Sequence, residues 1–395
     1  MKKIKLNDIV KVNQSGEWGI GLKEGEIGTK VIRTADFNND GSINYDNVSF
    51  RNIQQKKIDE KKLIYGDIII EKSGGTDKNP VGRVVFFNDD NNIYLSNNFT
   101  QVIRIKESMN SKFVFYNLYF NYKNGSTLQM FNKTTGIQNL QMKQFLNQKI
   151  SYISLEEQEI AVRKLDNVRN IIEIKQKQLQ DLDELIKSQF IEMFGDININ
   201  DKLWKEDILR NHLKVIGGYA FKSSEFKNSG IPILRIGNIN TGYFRPKDLM
   251  FWNEEDKLKN YIIYPNDIVM SLTGTVGKDD YGNVCIMGRD YEKYYLNQRN
   301  AKLELKDTLD KIYISYALRV SEIKKRLTGI SRGVRQANIA NKDIENLYIP
   351  IPPIELQNQF ADIVKQIDKQ KFEIQKSLEE MQKLQESLMN KYFGG

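Results

Sequence analysis

Histidine and cysteine are almost absent from this chain of 395 residues, which contains one of each, His212 and Cys285. A single cysteine excludes an intramolecular disulfide and a zinc site built from cysteines. A single histidine also disfavours a Ser–His or Cys–His catalytic pair and a histidine-rich metal site. We therefore predict that no metal is bound, that Cys285 is a buried apolar residue, and that His212 is a structural residue at or near the surface.

Long apolar stretches are missing as well. No segment approaches the roughly 20 apolar residues of a membrane-spanning helix. The basic start of the chain, residues 1–12, alternates apolar with polar residues and has no apolar core like that of a signal peptide. A hydrophobic content of 40% is typical of globular proteins. We expect a cytoplasmic protein of two or three domains that does not associate with membranes.

No segment carries a complete catalytic motif. Residues 271–280 (SLTGTVGKDD) are similar to a phosphate-binding loop, but Leu272 stands where the first glycine is required, and Asp279 replaces the serine or threonine that follows the lysine. Residues 67–72 (DIIIEK) lack the acidic-x-Lys spacing of a metal-dependent nuclease. We predict that the chain has no catalytic residue and holds no cofactor itself.

A stretch of 41 residues occurs twice, because residues 155–195 align without a gap with residues 354–394. Only 9 of the 41 pairs are identical, but the apolar residues also recur at the same alternating steps of three and four, as in the seam of a coiled coil. We predict two long helices that pack on each other as an antiparallel coiled coil. The predicted helix–helix and partner contacts are Leu165, Val168, Ile172, Leu179, Leu182, Ile186, Val364, Ile367, Ile374, Leu378, Met381 and Leu388.

Neither predicted seam is fully apolar, since Lys175 in the first copy aligns with Ile374 in the second. We infer that the helices complete each other and that partner proteins cover the rest. Two separate helices, each lying on its own domain, are the alternative. Ser154 and Glu157 form a capping-box signal at the start of the first helix, and Gly195 is a left-handed cap at its end.

The segments before the two helices are also distant repeats of each other. Tyr94–Leu95 resembles Tyr295–Leu296, for example, and the aromatic-rich segments 113–122 and 311–320 occupy matching places. They predict helices, and their aromatic content leaves strands as the alternative. Short β-branched stretches between such landmarks predict strands. The expected fold class is α+β, with two mixed α/β domains, two long antiparallel helices and a pseudo-two-fold internal repeat.

The net charge of +8 is unevenly distributed. Residues 1–150 carry +7 and residues 196–350 carry +5, whereas the helical segments 151–195 and 351–395 carry −3 and −1. These four ranges are the predicted domains, in which two basic globular halves alternate with two helical spacers. Basic globular halves indicate contact with a polyanion; an ordinary lysine-rich surface is the alternative.

Three pairs of matched segments suit contact with DNA: residues 71–83 with 271–282, 96–101 with 297–302, and 131–139 with 328–338. Small residues allow backbone N–H groups to approach phosphates, and Asn, Gln and Arg side chains bind base edges. Ordinary surface turns are the alternative. The predicted DNA-binding residues are Arg33, Lys72, Ser73, Thr76, Lys78, Arg83, Asn97, Asn98, Lys133, Arg235, Ser271, Thr273, Thr275, Lys278, Gln298, Arg299, Ser331, Arg332, Arg335 and Gln336.

Taken together, the pattern resembles the specificity subunit of type I restriction–modification systems along the whole chain. The segment IPIPPIELQNQFADIV (349–364) is similar to the Pro-Pro-x-x-x-Gln entry into the helices of that family, and GVRQANI (333–339) and SLTGTVG (271–277) are similar to its domain motifs. The first helix departs from this pattern, since SYISLEEQ (151–158) lacks the prolines, although the helix keeps its register.

The resemblance implies a subunit without catalytic activity. Each target-recognition domain would read one half of a split, asymmetric DNA site, while the helices set the spacer and hold two modification (adenine methyltransferase) subunits. S-adenosylmethionine, ATP and Mg²⁺ are then expected in partner subunits, the last two with a restriction subunit that translocates DNA and cuts it. Two alternatives stay open: a recognition subunit of a methyltransferase without a nuclease, and a coiled-coil scaffold that does not bind DNA.

Overall fold

A computed structural model of the chain describes residues 2–134, 136–239, 241–275, 278, 280–329 and 336–394, without the side chains of Thr134 and Gln336. The residues form two compact units, unit 1 with Met1–Gln176 and Lys376–Gly395, and unit 2 with Lys177–Gln375. Each of the two long helices therefore contributes one part to each unit.

Unit 1 is a mixed α and β structure. Its strands are β1 (Lys2–Lys5), β2 (Val10–Ser15), β3 (Thr29–Ile32), β4 (Ser49–Arg51), β5 (Ile68–Glu71), β6 (Ser73–Gly74), β7 (Val84–Phe86), β8 (Tyr94–Ser96), β9 (Thr100–Ile105), β10 (Phe131–Thr134), β11 (Ile137–Leu140) and β12 (Lys149–Tyr152). Its helices are α1 (Leu6–Ile9), α2 (Gln55–Lys61), α3 (Ser111–Lys123), α4 (Met142–Asn147) and the first part of α5 (Leu155–Phe194). The last part of the second long helix, from Lys376 onward, also belongs to this unit. The sheets have the orders β2-β9-β5-β7, β4-β3-β8, β10-β11-β6 and β1-β12.

Unit 2 is built in the same way. Its strands are β13 (Glu206–Ile208), β14 (Leu213–Gly217), β15 (Ile231–Leu234), β16 (Met250–Trp252), β17 (Ile262–Ile263), β18 (Ile268–Ser271), β19 (Thr273–Thr275), β20 (Val284–Ile286), β21 (Tyr294–Leu296), β22 (Asn300–Leu305), β23 (Gln336–Asn338) and β24 (Tyr348–Pro350). Its helices are the last part of α5, α6 (Lys311–Ala317), α7 (Ser321–Thr328), α8 (Asn341–Glu345) and the first part of α9 (Ile354–Phe393). The sheets have the orders β14-β22-β18-β20, β16-β15-β21-β17, β19-β23 and β13-β24.

Each sheet of unit 1 has a counterpart in unit 2. The four-stranded antiparallel sheets run in the same order, and the register agrees, because Ile68 lies opposite Ile103 in one unit and Ile268 lies opposite Leu303 in the other. In the second sheet of each unit one pair is parallel, β3 with β8 and β15 with β21. The predicted α+β fold with an internal repeat is confirmed.

The two long helices also lie where the sequence predicts them. Each has 40 residues. The capping box at the start of α5 is present, with the Ser154 N–H donating to Glu157 Oε2 at 2.9 Å and the Glu157 N–H donating to Ser154 Oγ at 3.3 Å. Gly195 has a φ of 74°, as expected of a left-handed cap.

Within unit 2, α5 and α9 pack antiparallel. The ring centroids of Phe194 and Phe360 are 5.5 Å apart, and Lys371 Nζ donates to Asp183 Oδ1 at 2.6 Å, so the residue numbers rise along one helix as they fall along the other. Phe194 and Phe360 are fully buried in the main core of this unit together with Tyr313 of α6. The predicted antiparallel packing of the two helices is therefore present in unit 2, where both helices also contribute to the core of the domain.

Within unit 1, the first part of α5 and the last part of α9 share one core with α3. Phe393 of α9 is buried against Phe113 of α3, with ring centroids 5.1 Å apart, and Leu165 of α5 is fully buried in the same cluster. Of the twelve predicted seam residues, seven are buried and five are half-buried. The half-buried ones are Leu179, Leu182, Ile374, Met381 and Leu388.

Candidate nucleic-acid interface

The glycine-rich segment of each unit is held by a strand that is distant in sequence. In unit 1, β6 pairs with β11, and Ser73 Oγ donates to Asn139 Oδ1 at 2.5 Å. In unit 2, β19 pairs with β23, and Thr273 Oγ1 donates to Asn338 Oδ1 at 2.9 Å. Two of the three predicted pairs of segments are thus brought together in both units, which their separation in the sequence did not indicate.

Glycine is required in this segment by the protein itself. Gly75 has a φ of 59°, and a Cβ atom there would lie 2.8 Å from both Gln138 Oε1 and the backbone nitrogen of Val81. The Val81 N–H donates to Gln138 Oε1 at 3.1 Å, which ties the segment to β11. The small residues at this place therefore let the loop fold onto its own unit.

The third pair of segments forms a short turn next to the glycine-rich segment. In unit 1 the Asn97 N–H donates to Ile32 O at 2.9 Å, and Phe99 O accepts from the Lys72 N–H at 2.9 Å. In unit 2 the Asn297 N–H donates to Leu234 O at 3.3 Å, and Arg299 O accepts from the Leu272 N–H at 2.8 Å. The turns are thus joined to the same two elements in both units. The hydrogen bonds also fix which turn residues correspond to each other, because Phe99 O and Arg299 O accept equivalent bonds.

The sequence alignment of this region was wrong by one residue. It paired Tyr94–Leu95 with Tyr295–Leu296, whereas the parallel strands place Val31 opposite Leu95 and the matching Ile233 opposite Tyr295. Asn98 therefore corresponds to Gln298, and Phe99 corresponds to Arg299. Residue similarity favoured the wrong register because two tyrosines stand next to each other at 294 and 295.

The structure divides the predicted DNA-binding residues by exposure. Half-buried are Arg33, Lys72, Ser73, Arg83 and Arg235. Exposed are Thr76, Lys78, Asn98, Lys133, Thr275, Lys278, Gln298 and Arg299. Buried are Asn97, Ser271 and Thr273. Ser331, Arg332 and Arg335 lie outside the described residues, and for Gln336 only the backbone, in β23, is described.

The buried residues have structural roles in this conformation. Ser271 is fully buried, and its Oγ accepts from the Asn283 N–H at 3.0 Å. Asn97 begins the turn and is 6% exposed. Thr273 is occupied by the bond to Asn338. These three residues are at most 6% exposed in this conformation, and the sequence could not reveal this because burial depends on strands from elsewhere in the chain.

Several predicted cations have partners inside the protein. Arg83 binds Glu71 with two bonds, Nε to Oε2 at 2.7 Å and Nη2 to Oε1 at 3.1 Å, and Glu71 is 2% exposed. Arg33 pairs with the buried Asp36 at 2.7 Å. Lys72 donates to Ser15 Oγ at 2.5 Å, and burial lowers its pKa, with the nearby charge of Lys61 acting in the same direction. These residues stabilise the loops on which the exposed residues stand.

A recess in unit 2 lies beside the exposed turn. It has a volume of about 530 Å³, and Arg235, Lys247, Asn297, Gln298 and Arg299 contribute to its walls, together with Phe221 and Asp248. The Nε of Arg235 is buried and has no hydrogen-bond partner among the described residues. The sequence predicted Arg235, Gln298 and Arg299 as ligand-facing residues but missed Lys247, which lies in a segment without a counterpart of obvious similarity.

Arg33 forms an ion pair with Asp36, and one difference in sequence explains why Arg235 has no equivalent pair at the matching position. Both guanidinium groups donate to a backbone carbonyl, Asn47 O at 2.7 Å and Asp248 O at 2.6 Å. At the position where unit 1 has Asp36, unit 2 has Asn238, whose Oδ1 accepts from the Arg235 backbone N–H at 3.0 Å. An amide carries no charge that could balance a guanidinium as a carboxylate does, so residue 238 does not balance the positive charge of Arg235.

The described residues contain no group of three or more His, Cys, Asp and Glu side chains that could hold a metal ion. His212 is bound on both sides by the protein, with Nδ1 2.7 Å from Thr308 Oγ1 and Nε2 3.1 Å from Asp207 Oδ2. Cys285 is 1% exposed. Both residues have the structural roles predicted for them. None of the helices in the described part of the chain combines the length and the apolar character needed to cross a membrane.

The chain thus contains two copies of one α+β unit, and each copy carries an exposed turn beside a glycine-rich segment. The model of the family described as "Type I restriction modification DNA specificity domain" matches the chain twice, at residues 1–184 and 202–384. The chain belongs to this family, and the resemblance to type I specificity subunits is confirmed.

Individual proteins agree with this assignment. The chain is 27% identical to the type I restriction enzyme MjaVIII specificity subunit of Methanocaldococcus jannaschii, over 75% of this chain and 72% of that protein. Its fold is similar to that of the type I restriction–modification S subunit from M. genitalium, with a TM-score of 0.62 and 16% identity over 99% of this chain and 96% of the other. A chain solved in work on the assembly and conformational transition of the type I system gives a TM-score of 0.56 at 17% identity, covering 99% and 97%.

Proposed function

We propose that this chain is the non-catalytic specificity subunit of a type I restriction–modification complex and that each unit reads one half of a bipartite, asymmetric DNA site. The observation that carries the proposal is the repeated turn. Its backbone is held by equivalent hydrogen bonds in both units, yet its exposed side chains differ, Asn98 and Phe99 in one and Gln298 and Arg299 in the other. Two turns with the same backbone but different exposed side chains would bind different bases, as two different half-sites require.

The charge of the chain supports the same function. The formal charges of +7 and +5 lie on residues 1–150 and 196–350, which carry the turns and the glycine-rich segments. Lys78 and Lys278 are exposed within those segments. Cations at such places neutralise phosphates and position a protein on the duplex.

The long helices offer a docking surface for the other subunits. Large apolar side chains remain exposed along them, with Ile191 at 61% and Phe372 at 67% as the most exposed on each helix. Further exposed apolar residues of these helices are Leu155, Ile171, Ile174, Leu185 and Leu384. We assign this surface to two modification (methyltransferase) subunits, which bring S-adenosylmethionine. Restriction subunits bring ATP, Mg²⁺ and the nuclease, and the helices set the spacer between the half-sites.

The test is to copurify the chain with the modification subunit of its own system and select bound duplexes from a random pool. Two short base sets separated by a fixed gap are expected. Enrichment of one contiguous site would contradict the bipartite assignment, and no enrichment would favour a scaffold without DNA binding. Sequencing of methylated adenines in cells that carry the genes gives an independent measurement of both half-sites. Adding the restriction subunit and ATP then distinguishes a complete system from one that only methylates.

A further inference from the structure

The two units present different chemistry at one structurally equivalent pair of positions. We propose that Gln298 and Arg299 read a G·C base pair in the half-site bound by unit 2, and that Asn98 and Phe99 read an A·T pair in the half-site bound by unit 1. This inference rests on the proposed function and names the bases that one turn in each unit selects.

The equivalence of the two turns follows from their backbone bonds. Each turn closes with the same internal bond, Thr100 N–H to Asn97 O at 3.0 Å and Asn300 N–H to Asn297 O at 2.9 Å. The carbonyl of Phe99 accepts from the Lys72 N–H, and the carbonyl of Arg299 accepts from the Leu272 N–H, at the start of each glycine-rich segment. Both units therefore hold the backbone in the same way, and the difference in what they present lies in the side chains.

The turn of unit 2 is rich in hydrogen-bond donors. Arg299 is exposed and its guanidinium has five N–H donors and no acceptor, which matches the O6 and N7 acceptors of guanine in the major groove. Arg235 and Lys247 line the recess next to it, and Arg235 lacks the carboxylate that neutralises Arg33 in unit 1. Asp248 also lines the recess, so three cationic residues and one acidic residue contribute to its walls. This positive field favours a base edge that carries two acceptors.

The turn of unit 1 has no cation at these two positions. Phe99 leaves 46% of its surface exposed, which is a large apolar area for a residue at the tip of a turn. An exposed aromatic ring there can contact the methyl group of thymine, and an exposed asparagine such as Asn98 can bind N6 and N7 of adenine. Both side chains suit the two partners of one A·T pair.

The experiment exchanges the turns within the full-length chain, in its complex with the modification subunits and at one fixed salt concentration. In one variant Gln298→Asn and Arg299→Phe give unit 2 the turn of unit 1. In the other, Asn98→Gln and Phe99→Arg do the reverse. The base preference at every position of both half-sites is measured by selection from random duplexes. We expect the first exchange to lower the preference for guanine at a single base pair by about 5- to 150-fold and to leave the other half-site unchanged. The reverse exchange should alter only that other half-site, at an A·T pair.

Two single variants separate base reading from charge and from folding. Arg299→Lys keeps the charge but loses the planar fork, so the guanine preference should fall, while the slope of log affinity against log salt, measured in a separate salt titration, should be kept. Lys259→Phe removes an exposed cation elsewhere in unit 2 and should change neither half-site. The melting temperature of each complex shows whether it is folded. If the exchange variants fail to assemble, Arg299→Ala replaces them, and an unchanged guanine preference in that variant overturns the proposal.

The outcomes also separate this inference from the proposed function. Unchanged base preferences after both exchanges would overturn the inference alone, as would a loss of affinity that is equal for all sequences, since Arg299 would then contact only phosphate. A wild-type complex that selects no bipartite site would instead contradict the proposed function itself.

Discussion

Gln357, at the start of α9, accepts a hydrogen bond at Oε1 from the backbone N–H of Asp310 at 2.8 Å, and its side chain is completely buried. Its Nε2 donates to Pro352 O at 2.7 Å. Gln158 does the same at the start of α5, accepting from the Asn110 N–H at 2.9 Å and donating to Ile153 O at 2.9 Å. One glutamine thus fastens each long helix to the start of a domain helix, because Asn110 and Asp310 cap α3 and α6.

Replacing Gln357 with leucine should lower the free energy of unfolding by about 1–3 kcal/mol. The change leaves buried backbone donors and acceptors without partners while it keeps the side-chain volume. Urea denaturation of the purified chain measures the effect. Gln366→Leu, at an exposed position of the same helix, is the control and should change the stability by less than about 0.5 kcal/mol. Equal effects of the two substitutions would contradict the fastening role.

Arg83→Ala should destabilise the fold by about 3–5 kcal/mol, since it leaves the buried carboxylate of Glu71 without its partner. Replacing both residues with methionine should restore most of the stability, because a buried ion pair can often be exchanged for apolar side chains of similar volume. Thermal unfolding compares the two variants. If Arg83 served only DNA binding, Arg83→Ala would weaken binding and leave the melting temperature of the free chain unchanged.

The thiol of Cys285 should be unreactive in the folded chain. Burial raises its pKa to about 12, so almost none is thiolate at pH 8. Because the folded pKa lies above the unfolded value of about 9, stability contributed by the neutral thiol is complete below pH 9 and is lost as the pH rises towards 12. A disulfide-exchange reagent at pH 8 should modify Cys285 only in denaturant, and rapid modification of the native chain would refute its burial.

Lys78→Ala and Lys278→Ala should weaken DNA binding by a similar factor on all sequences. Each lost phosphate contact lowers the slope of log affinity against log salt by about 0.9. Titrations of the complex at several salt concentrations give the slope. Lys369→Ala, at an exposed position of α9, is the control and should leave it unchanged. A change in base preference in either loop variant would mean that the lysine reads bases.

Lengthening both helices should change the gap between the half-sites. Seven residues inserted between Lys175 and Gln178, with a matching heptad between Ile374 and Ser377 of α9, add about 10 Å of helix and keep the register of the seam. At about 3.4 Å per base pair this is roughly three base pairs. Selection from random duplexes reads the gap, and an unchanged gap in a folded variant would show that the helices do not set it.

The elements that the sequence predicted best depend on local patterns. The two long helices were found because an uninterrupted period of three and four residues over 40 positions is incompatible with a strand. The capping box of Ser154 and Glu157 and the turn at Gly195 follow from chemistry within four residues. The helical prediction was right for residues 113–122, which α3 covers completely, and for residues 311–317 of the second segment, which form α6.

The site was only partly accessible from the sequence, because its geometry depends on pairing between distant segments. The contacts of Ser73 with Asn139 and of Thr273 with Asn338 join segments that are about 65 residues apart. The internal partner of Arg83 and the burial of Ser271 likewise arise from strand pairing. The predicted DNA-binding residues have similar charge and residue type, so the sequence could not divide them. Their burial in the structure distinguishes the residues that stabilise the loops from those that are exposed.

By itself, the sequence determined that the chain is a twice-repeated α+β protein with two long helices, because hydrophobic period and repetition are properties of residue order. Only the tertiary structure decided which turn residues correspond, since the register of β8 and β21 is set by hydrogen bonds to β3 and β15. In that register, Phe99 of unit 1 corresponds to Arg299 of unit 2. A shift of one residue in strand pairing turns each side chain to the opposite face of the sheet. Sequence similarity between the two halves could therefore not determine which register is correct.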